Sequence, residues 1–275
     1  MPIKKTFFET VDENLIFDEV IGDAVASASS LAETASTASD VAKLADQLLL
    51  LSRPQREDVS ALVDVSRTVI VHGDSLLAET VDVVDTLYGG QPVHAAFHIE
   101  RRLSQMLASL SDARIIIVFF DNLAQSWAAH PRLLALRHAI LTHLQLQKKR
   151  LQPRIFVERY STINTFADEH LGGSLPLVFV PARSAPNVPV TELASRVRLS
   201  EIEEHSRVLA AVSLSRNHSV LFWETIELEG THCYGSMARP VRIAMHIPPL
   251  TSDHLSLYAS QSEAALARDW LQQHS

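Results

Sequence analysis

Glycine is scarce in this chain, 8 residues in 275, which disfavours glycine-rich phosphate cradles and tightly turned all-β architectures. A single cysteine, Cys233, excludes an internal disulfide and suits a reducing compartment. No apolar run is long enough to span a bilayer, and the N-terminal MPIKKTFFETVDEN lacks the apolar stretch of a signal peptide. The expectation is an intracellular protein, cytoplasmic before nuclear, without a membrane partner. Neither a GxxxxGK[ST] phosphate loop nor a DExH box occurs, so these residues encode no ATP-driven motor. Lys and Arg number 24 against 32 Asp and Glu, a net charge of -8. That balance counts against nucleic-acid binding by bulk charge but leaves a local basic face open.

What the chain has is apolar substance. Hydrophobic residues make up 47% of it, enough for a sizeable core. Residues 1–65 read as a helical leader, partly mobile. Over 22–47, Val25, Ala28, Leu31, Ala32, Ala35 and Ala38 make only a thin apolar face. A better helix over Asp40–Ser52 ends before Pro54. From Arg67 the texture changes. Apolar runs with little alternation, at Thr68–His72, Arg114–Phe120, Arg154–Glu158, Leu175–Pro181 and Ser219–Trp223, predict strands covered on both faces. Helical periods lie between them at Ser75–Tyr88, Val93–Leu110, Pro131–Lys149, Ile163–Leu171 and Val190–Arg216. This alternation predicts an α/β domain over 66–250 with a mainly parallel sheet. A C-terminal helix, about Ser256–Gln273, follows within 251–275.

The stretch VIVHGDSLLAE, residues 69–79, poses the functional question. Read as GDSL, it makes Ser75 an esterase nucleophile. Such an enzyme also needs an oxyanion donor block and a late DxxH pair to activate the serine. The chain has no Asn-Asp dipeptide, and Asp253–His254 and Asp168–His170 are wrongly spaced. No histidine is therefore expected within reach of Ser75. The other reading makes Asp74 the working group, at the C-terminal end of a core strand where ligands of open α/β sheets collect. The strand RIIIVFF also ends in an acid, Asp121, and Glu100 lies on the helix between them. Carboxylates gathered at strand ends suit Mg²⁺ or Mn²⁺, which can activate water against a phosphodiester. Each aspartate alone could equally be a helix N-cap.

Together, GDSLLAE, GGQPVHAAFHIERRLSQML and IIIVFFDNLAQSWAAHPRLLALRHAILTHLQ resemble the N-terminal region of the superkiller-like DExD/H-box RNA helicases, whose vertebrate members are interferon-induced antiviral proteins. The resemblance spans roughly residues 66–230 and is strongest over 69–147. It implies a three-layer PIN-like nuclease fold, with Asp74, Glu100 and Asp121 at the acidic positions and Leu136-Arg137 with His143-Leu144 as an "LR…HL" signature. It also implies an RNA context, protein partners and Mg or Mn as the metal. Where relatives carry a further acid, this chain reads LVFVPARSAP. A fourth acid would then come from Glu224 or Glu227. The expectation is a degenerate nuclease fold used for docking RNA or protein, with an active metal-dependent ribonuclease as the alternative.

Other residues are assigned more plainly. Arg137, Lys148, Lys149 and Arg183 are candidate phosphate contacts, although cations ending a helix also complement its C-terminal charge. His94 and His98 share a helix face but lack the glutamate of HExxH, so surface or capping roles are expected. Trp127, Trp223 and Trp270 are expected in the core or at a domain contact, and Cys233 as a passive thiol.

Overall fold

The computed structural model describes residues 25–52, 54–58, 68–88, 91–110, 113–128, 131–147, 154–172, 177–180, 199–229, 232–240 and 250–259. Helix α1 (25–34) leads into α2 (Ala38–Ser52) and strand β1 (Gln55–Asp58). Strand β2 (Thr68–His72) runs directly into α3 (Gly73–Tyr88), and α4 (Pro92–Ser109) follows. Strand β3 (Arg114–Phe120) turns through a single 3-10 turn into α5 (Ala124–Ala128) and α6 (Pro131–Gln147). The chain continues through β4 (Ile155–Tyr160), α7 (Ile163–His170), β5 (Leu177–Val180) and α8 (Leu199–Ser215). It closes with β6 (Val220–Glu229), β7 (His232–Ala238) and α9 (252–259).

One seven-stranded sheet carries the order β1-β7-β6-β5-β2-β3-β4. The run β6-β5-β2-β3-β4 is parallel throughout, and β7 and β1 extend it in antiparallel sense. Strands β2 and β3 pair from Thr68↔Arg114 to His72↔Val118, so Asp74 and Asp121 leave the sheet at one edge, as expected from the sequence. The central strands read VIV and IIIVFF because both faces are covered, and these residues are buried. From β2 the connections advance to β3 and β4. They then return to β5 and β6 on the other side of β2, so the order reverses between β2 and β5. Crossovers between parallel strands follow a right-handed rule, under which this reversal sends the helices of the two halves to opposite faces, the plan of a three-layer α/β fold.

Two features depart from the sequence reading. Within the described part of the leader, α2 packs along α8 and buries Val41, Ala42, Leu44, Ala45 and Leu48. Its start is fixed by a reciprocal cap: the Thr37 Oγ1 accepts from the Asp40 N–H at 3.2 Å, and Asp40 Oδ2 accepts from the Thr37 N–H at 3.1 Å. The Thr37 hydroxyl also donates to Asp40 Oδ2 at 2.8 Å, and this bond, followed by that from the Ser36 N–H, holds the Asp40 carboxyl below its ordinary range. The second departure is the antiparallel pair β1 and β7, which the sequence reading left out. QRED is polar because it is an edge strand, and HCYGSMA mixes polar with small residues. The portions of the expected helices at 190–198 and 260–273 lie outside the described residues.

Candidate functional site

Strand β2 ends in His72 and α3 begins at Gly73 with no intervening loop. Glycine is required there, since a Cβ would sit 2.7 Å from the Phe119 ring. This tight passage pulls the next residue, Asp74, under the end of β3, where its carboxylate is fully buried at 0% exposure. Four donors surround it. Oδ1 accepts from Arg137 Nε at 2.6 Å and from the Trp127 indole at 2.9 Å. Oδ2 accepts from the Phe120 backbone N–H at 3.1 Å and from Arg137 Nη2 at 3.3 Å. The same Nη2 donates to the Phe120 carbonyl at 2.8 Å, and Arg137 is only 1% exposed. The guanidinium therefore clips α3, β3 and α6 together through one carboxylate and one carbonyl.

This geometry changes the meaning of two expected site residues. Asp74 has its acceptor sites filled by protein donors, and the Arg137 guanidinium balances its buried charge. Arg137, expected as a phosphate contact, is enclosed in the interior at 1% exposure and bidentate to Asp74. Trp127 is in the core, as expected, and adds its indole N–H to the same carboxylate.

The other acids have their own partners. Glu100, on α4, accepts from His143 Nε2 of α6 at 2.6 Å, a half-buried tie between the two helices. Asp121 receives Arg159 Nη2 at 2.6 Å and Nε at 3.0 Å, in an exposed pair linking β3 to the neighbouring β4. Among the described residues no three carboxylates, imidazoles or thiols gather as metal ligands. The shared metal shell of Asp74, Glu100 and Asp121 that the sequence suggested is not assembled here; each acid meets a cation or an imidazole instead. Glu224 and Glu227 fall on β6, but their side chains are outside the described residues. Lys148, Lys149 and Arg183 are outside them altogether.

The structure also corrects the expectation for Ser75. A histidine is within reach, three residues earlier on β2: Ser75 Oγ lies 2.8 Å from His72 Nδ1, which also accepts the Ser75 backbone N–H at 3.1 Å. An Nδ1 that accepts an N–H carries no proton, so His72 bears its proton on Nε2 and donates to His205 Nδ1 at 3.1 Å. The imidazole thus caps the first turn of α3, and Ser75, 6% exposed, closes the cap. Phe120 stacks on His72 and packs against His205, with ring centroids 5.4 and 4.5 Å away. Burial drives the His72 pKa down to about 4, against an opposing pull from Asp74, and Arg137 lowers it further. Burial likewise lowers that of His205, which adjoins His72. The signal that could have found this pair was an apolar strand ending in histidine immediately before a helix.

A mainly parallel sheet with Asp74 and Asp121 just beyond the C-terminal ends of β2 and β3 is the architecture of a PIN-like domain. Residues 40–154 match the family model described as the PIN-like domain of the ATP-dependent RNA helicase DDX60. Over that span the chain carries a PIN-like domain of this helicase-associated kind. The match begins at residue 40, inside α2, in keeping with the packing of that helix as part of the domain. No curated protein and no solved structure matches the chain. Among the described residues, no helix is long and apolar enough to cross a membrane.

Proposed function

We propose that this helicase-associated PIN-like domain is a degenerate nuclease fold that serves docking, of RNA or protein, instead of phosphodiester cleavage. One observation carries the reading: the Asp74 carboxylate, at the position where a metal ligand is expected, is buried and saturated by Arg137, Trp127 and the Phe120 N–H. A two-metal hydrolase clamps the attacking and leaving oxygens between ions held by acids on both sides of the phosphate. Arg137 takes the charge that a cation would take, and the ion pair serves the packing of α3, β3 and α6. In this reading Mg²⁺ or Mn²⁺ is not needed at that position.

The test is direct. The chain is incubated with end-labelled single-stranded RNA and Mn²⁺, and products are resolved on a gel. No protein-dependent cleavage is expected. Cleavage that is abolished by both Asp74→Asn and Asp121→Asn would establish the opposite reading, an active metal-dependent ribonuclease.

A further inference from the structure

We draw no further inference here: the strongest candidate, the exposed apolar stripe of Val93 and Phe97 on the outer face of α4, carries none because nothing in the structure shows what covers it.

Discussion

Arg137, on α6, reaches Asp74, 63 residues earlier in the chain, and holds both of its carboxylate oxygens in the buried interior at 2.6 and 3.3 Å. A carboxylate held this way belongs to the framework. Buried ion pairs are costly to break, since removing one partner leaves an uncompensated charge, at a cost of roughly 3–5 kcal/mol. Arg137→Ala should therefore destabilise the domain by that order, read as a shift in the urea midpoint. Arg137→Lys should not restore it. An ammonium cannot reach both carboxylate oxygens and the Phe120 carbonyl in one planar fork.

The second prediction concerns pH. His72 is neutral in the folded chain, with its pKa lowered from 6.5 to about 4, and His205 is lowered as well. Between those values the unfolded chain binds protons that the folded chain refuses, so stability rises with pH and is lost as pH falls from 6.5 towards 4. For His72 alone the loss is on the order of 3 kcal/mol. His72→Asn keeps an acceptor for the Ser75 N–H and does not titrate. Its urea midpoint should be less sensitive to pH across that window than that of the wild type. An equal pH dependence in the two proteins would show that His72 is not the titrating group.

Ser75 tests the cap. Its hydroxyl is bonded to His72 and nearly enclosed, so Ser75→Ala should cost about 1 kcal/mol of stability. Hydrolysis of a short-chain nitrophenyl ester should be absent from the wild type. If the wild type hydrolyses such an ester and Ser75→Ala does not, the Ser75–His72 pair is a catalytic couple and the capping role is wrong.

The parallel strands were legible because burial on both faces leaves continuous β-branched and aromatic runs. The expected Thr68–His72 and Arg114–Phe120 coincide with β2 and β3. Strand β4 was displaced only slightly, from Arg154–Glu158 to Ile155–Tyr160. The edge pair β1 and β7 was not legible. Its strands meet across 182 residues, from Gln55 to Met237, and their own composition is largely polar or small. The acids illustrate the same limit at the level of a site. Asp74 and Asp121 stand at strand ends where the pattern places them, but what each carboxylate faces is decided by Arg137 and Arg159, contributed by α6 and β4. Sequence pattern locates a side chain on its element. It does not say which distant donor the packing will bring to it.

The most direct measurement is the urea midpoint of Asp74→Asn against wild type, without divalent ions. If Asp74 stood in a cluster of like charges awaiting a cation, removing its charge would relieve repulsion and raise the midpoint. If it is the buried partner of Arg137, the substitution strands the guanidinium and lowers the midpoint by several kcal/mol equivalents of stability, roughly 3–5. A clear fall is expected. An unchanged or raised midpoint would contradict the structural role assigned to this residue and restore it as a metal ligand.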